Sequence, residues 1–147
     1  MKSLQELQPL IIEWAKDKNI HLPECAPKQK LKLIEECGEL ASAILKSNVE
    51  LQKDAIGDIF VVLVILAEQL NSKLFFKSEN NEVCNSETIT TILQFITYVH
   101  SEPDVEILWL NDLANKLNLD LTECANIAWN EIKDRKGETK NGTFIKN

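Results

Sequence analysis

The sequence predicts an all-α fold, an antiparallel helical bundle of about five or six helices in one domain spanning residues 1–147. Three observations carry this expectation. Only 4 glycines and 4 prolines punctuate the 147 residues. Apolar residues recur at three- and four-residue spacing through long stretches. Hydrophobic residues make up 44% and charged residues 27%, a globular balance in a chain long enough to bury a real core.

The first helix is expected from about Ser3 to Lys18, with Leu4, Leu7, Leu10, Ile11 and Trp14 on one side. A loop with Pro23 and Pro27 follows. The second helix spans about Lys28 to Lys46, its apolar stripe formed by Leu33, Ile34, Cys37, Leu40, Ala41 and Ile44. Ser47 or Asn48 can cap a third helix reaching to about Asn71. So short a join makes helices two and three antiparallel neighbours. Beyond Asn71 the segment Ser78–Ser86 is polar and asparagine-rich, an exposed loop. Two further helices are expected at about Glu87–His100 and Asp104–Leu117. A last one runs from about Asp120–Thr122 to Lys136–Gly137, where glycine gives a stop. The tail holds an Asn-Gly pair, a hairpin signal too short to stand alone.

The third helix is almost uniformly apolar after Asp58, and such a helix must be buried on nearly all sides. Ile59, Phe60, Val62, Leu63, Ile65 and Leu66 point around most of its circumference. A second copy of the chain is the simplest cover, which predicts a homodimer or a dimer of dimers. The alternative cover is the C-terminal helices of the same chain.

Bulk properties narrow the partners. A formal net charge of -7 argues against broad binding to a nucleic-acid backbone, yet leaves room for a single nucleotide. Cys25, Cys37, Cys84 and Cys124 are far apart and form no CxxC pair, which reads as reduced thiols. The N-terminus has no signal-like apolar core. The run Ile59–Ala67 is shorter than the roughly 20 residues a bilayer span takes. The expectation is a soluble cytoplasmic protein without a membrane partner.

Acids cluster between Lys32 and Asp58: Glu35, Glu36, Glu39, Asp54 and Asp58. Glu36 and Glu39 share one helix face, as do Asp54 and Asp58. Packing the two helices antiparallel aims four carboxylates at one spot, where repulsion is costly unless a cation sits there. Such a pocket implies a hard divalent metal and phosphate chemistry. The alternative is a solvated acidic face on a helical interaction protein. Three features favour the metal: the acids recur on two adjacent helices, Lys32 lies on the stripe of Glu36 and Glu39, and Asp58 opens the most apolar segment. Gly38 and Gly57 stand inside helices, where glycine costs about 1 kcal/mol relative to alanine. Their missing side chains would allow close helix approach beside the acids.

Lys32–Leu33, Glu35–Glu36, Gly38–Glu39–Leu40 and Ile56–Gly57–Asp58 together resemble the MazG-type all-α nucleoside triphosphate pyrophosphohydrolases, with EExxE on one helix and ExxD on the next. The IIEWA segment of the first helix and the C-terminal NEIKDRKG segment look like small phage and bacterial members. Residues from about Ser72 to Asp104 match nothing in that pattern and read as an insertion. The resemblance implies magnesium-dependent cleavage of an NTP or dNTP to the monophosphate and pyrophosphate, with manganese as a substitute metal. It implies Glu36, Glu39 and Asp58 as metal ligands.

One position departs from the pattern: Ala55 stands where the ExxD glutamate falls. Positions 54 and 55 flank Asp58 on a helix, at about 40° and about 60° on opposite sides. Asp54 can therefore replace the missing acid as fourth ligand. Glu35, turned about 100° from Glu36, is a candidate base for the attacking water, which Glu36 or Glu39 could also orient. Lys32, Lys133, Arg135 and Lys136 are candidates for holding the pyrophosphate, with Asn130 adding a hydrogen bond. Cations at a helix C-terminus also serve as caps, so Lys133 to Lys136 keep that second reading. Trp14 either stacks on the base or belongs to the core; Trp109 and Trp129 are read as core. The competing functional reading is a degenerate site that binds nucleotide and hydrolyses it poorly.

Overall fold

The computed structural model describes residues 1–76, 90 and 102–147. Five helices and one two-stranded hairpin make up the described chain. Helix α1 (Leu4–Asp17) opens with a capping box: Ser3 Oγ accepts from Glu6 N at 3.2 Å, and Glu6 Oε2 accepts from Ser3 N at 2.7 Å. Its Leu7, Ile11, Trp14 and Ala15 are buried.

After a single 3₁₀ turn at Pro23–Cys25, α2 runs over Ala26–Leu45 and α3 over Val49–Gln69. Asn48 caps α3, its Oδ1 accepting from Leu51 N at 3.1 Å. Two cross-links show the antiparallel pairing of α2 with α3. Gln29 Nε2, early in α2, donates to Val62 O late in α3; Gln52 Nε2, early in α3, donates to Ala43 O late in α2. Helix α4 (Pro103–Lys116) and helix α5 (Leu121–Ile132, capped by Asp120 Oδ1 on Glu123 N) complete the bundle.

Four helices stop by one device. Asn19, Ser47, Asn71 and Asn118 take positive φ directly after the C-cap residues of α1 to α4. The next residue's N–H then reaches back five positions, as Ile20 N does to Ala15 O and Leu119 N to Ala114 O. This is the Schellman arrangement, with asparagine or serine in the left-handed seat that glycine usually fills.

The fold class is the one the sequence predicts, with several local corrections. Helix α5 ends at Ile132, not at Lys136–Gly137. Gly137 instead begins strand β1 (Gly137–Lys140), which pairs antiparallel with β2 (Thr143–Lys146) through Asn141–Gly142. Both turn residues have positive φ, 51° and 77°, the geometry for which Asn-Gly is suited. The hairpin does not stand alone. Thr139 Oγ1 donates to Lys18 O, and the Phe144 ring meets Trp14 at 5.3 Å and 67°.

The cover for α3 comes from the chain itself. Ile59, Phe60, Leu63 and Leu66 are fully buried, and Val62 and Ile65 nearly so, against α1, α2, α4 and α5. A second copy is not needed to bury them. Gly57 does permit a close approach, but to α5: a Cβ there would lie 2.3 Å from Cys124 O. Gly38 has nothing within 4 Å of its Cβ position and so brings no helix close. Ile34, expected in the buried stripe of α2, is exposed, because the buried face centres on Leu33, Cys37 and Leu40, about 100° away.

The expected helix at about Glu87–His100 and the loop Ser78–Ser86 lie outside the described residues, apart from helical Thr90. Most of the expected insertion at about 72–104 does too. Cys25, Cys37 and Cys124 are free and buried, whereas Cys84 is outside the described residues. Among the described residues, no helix is long and apolar enough to cross a membrane.

Candidate functional site

A cleft of about 420 Å³ opens between α1, the first half of α2, the middle of α3, the end of α5 and the hairpin. Its acids are Glu35, Glu36 and Glu39 from α2 and Asp58 from α3. Its cations are Lys28, Lys32, Arg135 and Lys146. Trp14, Ile20, Val62, Ile65 and Phe144 contribute apolar wall.

Glu36 is the most buried acid of the cleft, at 3% exposure. Its Oε1 accepts from Lys32 Nζ at 2.6 Å, while its Oε2 is buried with no partner. Burial pushes its pKa up, the charges of Glu39 and Glu35 add to that, and Lys32 offsets part of it. Lys32 also contacts Glu35 Oε2 at 2.8 Å. Burial alone would depress this ammonium, but hydrogen bonds and charge from Glu35 and Glu36 win and raise it well above the usual lysine value.

Asp58 is pushed up to about 7, first by burial, then by the charges of Glu36 and Asp54, with Arg135 opposing. Asp54 is raised by burial and by Glu131 and Glu39, again against Arg135. The two helices therefore place Glu36, Glu39, Asp54 and Asp58 in one negative field, although Asp54 does not line the cleft.

Glu131 belongs to this field and went unnoticed in the sequence. It sits on α5, paired with Arg135 at 2.9 Å. The only sequence signal was its i,i+4 relation to Arg135. Lys28, Phe144 and Lys146 were likewise missed; the Asn-Gly turn was the available clue to the last two.

The C-terminal expectations divide. Arg135 lines the cleft, but Asn130, Lys133 and Lys136 do not. Lys133 Nζ donates to Asn130 Oδ1 at 3.0 Å on the exposed end of α5, in keeping with its reading as a helix-end cation. Trp14 is buried, as its core reading expects, and it also lines the cleft. Trp109 and Trp129 are partly buried against the core.

The donors suit a hard divalent cation in kind, since they are carboxylate oxygens. They suit it in demand too, given an unpartnered buried oxygen on Glu36 and the mutual repulsion felt at Asp58. They are not drawn to a single point. Among the described residues, no three Asp, Glu, His or Cys side chains form a ready metal-binding group.

Residues 28–86 match the family model of the MazG nucleotide pyrophosphohydrolase domain. The chain is also 48% identical over 69 residues to an uncharacterised 18.2 kDa protein from the rep-hol intergenic region of Haemophilus phage HP1 (strain HP1c1). That similarity covers 47% of this chain and 42% of the phage protein, so the chain matches less than half the length of this relative. No solved structure matches the chain. The stretch 28–86, which carries Lys32 and the acids Glu35, Glu36, Glu39, Asp54 and Asp58, is thus the part of the chain that matches the MazG nucleotide pyrophosphohydrolase domain.

Proposed function

We propose that the cleft hydrolyses a nucleoside or deoxynucleoside triphosphate to its monophosphate and pyrophosphate, with magnesium, or manganese in its place, held by Glu36, Glu39, Asp58 and Asp54. The observation that carries this reading is the division of charge within one cleft: acids from α2 and α3 face Lys28, Arg135 and Lys146 beside an apolar wall. A triphosphate with a metal needs both signs of charge, and a base needs the apolar part.

When bound, the divalent cation neutralises phosphate charge and lowers the pKa of a coordinated water. Glu36 and Glu39 orient the water for in-line attack on the α-phosphorus, and Glu35 at the rim accepts its proton. Lys32, held by Glu35 and Glu36, remains an ammonium and stabilises negative charge on the reacting phosphate. Arg135, Lys28 and Lys146 hold the departing pyrophosphate. The test is pyrophosphate release from each common ribo- and deoxyribonucleoside triphosphate with magnesium and with manganese. No release from any of them would sink the hydrolase reading.

A second reading is a nucleotide-binding or helical interaction protein with a weak site. Ala55 favours it, since no oxygen stands at that position and the side chain is buried at 3% exposure. Nucleotide binding without turnover would select this reading.

The same proposal includes a homodimer or dimer of dimers. Its support now lies on α2, where Leu31, Ile34 and Leu45 are exposed at 60%, 46% and 86%. They fall at helical spacing with Gly38, beside which there is open space. A soluble nucleotide substrate and buried free thiols suit a cytoplasmic protein.

A further inference from the structure

The hairpin gives the cleft Gly142, Thr143, Phe144 and Lys146, yet it lies outside residues 28–86. Two contacts fix Phe144. Trp14 meets its ring at 5.3 Å and 67°. Gly137, on the opposite strand, leaves room for the ring, since a Cβ there would lie 2.6 Å from Phe144 Cζ. The ring nevertheless remains only partly buried, and it lines the cleft.

The hairpin is placed by features unrelated to charge. The Asn141–Gly142 turn packs against the start of α2, where a Cβ on Gly142 would be 3.4 Å from Lys28 Cγ and 3.5 Å from Cys25 Cα. Thr139 Oγ1 holds the other strand to Lys18 O at the end of α1. Lys146 therefore joins the cleft two residues beyond Phe144, alongside Lys28 from α2. A cleft lined by a partly exposed aromatic ring and by Lys28 and Lys146 fits a ligand with a flat apolar ring at one end and anionic oxygens at the other.

We propose that the C-terminal hairpin is the specificity wall of the cleft: Phe144, braced by Trp14, contacts the nucleobase, and Lys146 contacts the polyphosphate. This rests on the nucleotide reading above and adds to it a distinction between a nucleotide and a bare polyphosphate. Phe144 acts on the base alone, whereas Lys146 acts on any ligand bearing the phosphates.

The experiment is equilibrium binding of a nucleoside triphosphate and of inorganic tripolyphosphate, both with magnesium, to the full chain. Wild type, Phe144→Ala, Phe144→Leu and Lys146→Gln are compared, with circular dichroism to establish that each variant keeps its helices. Phe144→Ala should weaken nucleoside triphosphate binding about tenfold, the scale of one base–aromatic stack, and leave tripolyphosphate binding unchanged. Phe144→Leu keeps the apolar bulk and removes the ring, so it should fall between wild type and Phe144→Ala. Lys146→Gln should weaken both ligands alike. If wild type binds the nucleotide and Phe144→Ala binds it equally well, or loses both ligands equally, the specificity wall is overturned while the nucleotide reading stands. Unchanged binding of both ligands by Lys146→Gln overturns its phosphate role. Failure of wild type to bind any nucleoside triphosphate overturns both readings together.

Discussion

Lys32 Nζ lies 2.6 Å from Glu36 Oε1, one turn along α2, while the other oxygen of Glu36 is buried without a partner. One ammonium thus meets only part of the demand of this carboxylate. Burial still raises the pKa of Glu36, and its charge in turn helps raise Asp58 on the neighbouring helix. A second cation on the Oε2 side would relieve both acids, which is the physical basis of the proposed metal role.

Asp58→Asn removes a charge from a half-buried, crowded position with little change of shape. Turnover should fall at least about a hundredfold, roughly 2.7 kcal/mol in the barrier. The metal-free protein should at the same time melt higher, because repulsion with Glu36 and Asp54 is gone. Pyrophosphate release and a melting curve on the same sample check both. Wild-type turnover in Asp58→Asn and in Glu39→Gln would remove these acids from the site.

Asp54→Ala tests the substitute for the missing glutamate at position 55. A loss of at least about tenfold in turnover, roughly 1.4 kcal/mol, is expected, together with weaker magnesium binding by titration. Adding Ala55→Glu to that variant should recover part of the loss. If Asp54→Ala turns over like wild type, the acid does not serve as a ligand.

Glu106 on α4 gives the clearest pH dependence. It is fully buried, both oxygens lack partners, and burial pushes its pKa up to about 8, with Glu102 adding and Lys30 opposing. The unfolded chain loses this proton near the ordinary glutamate value of 4.5, whereas the folded chain keeps it to about 8. Between those values the folded state binds the extra proton, so stability falls as pH rises and levels off above about 8. The effect is on the order of a few kcal/mol. Denaturant unfolding of the metal-free protein at pH 5 and pH 8 should show that loss together with a same-sign loss from Asp58, raised to about 7, and Glu106→Gln should reduce the total by the share of Glu106. An equal pH dependence in Glu106→Gln would clear this residue of the role.

The two helical glycines should respond oppositely to alanine. Gly57→Ala drives a Cβ to within 2.3 Å of Cys124 O and must push α5 from α3, at a cost on the order of 1–3 kcal/mol. Gly38→Ala meets nothing within 4 Å and should gain up to about 1 kcal/mol of helix propensity. Chemical denaturation of both variants decides this; equal stability of the two would contradict the packing described.

Light scattering at micromolar concentration should give a mass at least twice the 16.7 kDa of one chain. Ile34→Lys, or Leu31→Lys, on the exposed face of α2 should shift that mass toward a single chain. An active monomer in the wild type would refute the assembly.

Several features of the site were legible in the sequence because they are local. Glu36 and Glu39 share a face through helical spacing alone, and Lys32 pairs one turn away as the same spacing requires. The Asn-Gly turn announced a hairpin. Other features were hidden because they depend on where a chain stops or turns. Helix α5 ends at Ile132 rather than at Gly137, and of Lys133, Arg135 and Lys136 only Arg135 lines the cleft. The Schellman stops use asparagine and serine, so a search for glycine at helix ends looks in the wrong place. Glu131 joins the acidic field only because α5 packs beside α3 at Gly57.

The sequence by itself determined the helical class, the two acid-bearing helices and their antiparallel pairing, since periodicity, capping residues and a short join act over a few neighbouring residues. Tertiary structure decided what covers α3 and which distant residues meet the acids. It also decided that the tail folds back so that Phe144 meets Trp14, 130 positions away along the chain. Those outcomes depend on which apolar faces compete for burial across the whole chain, and no local spacing encodes that competition.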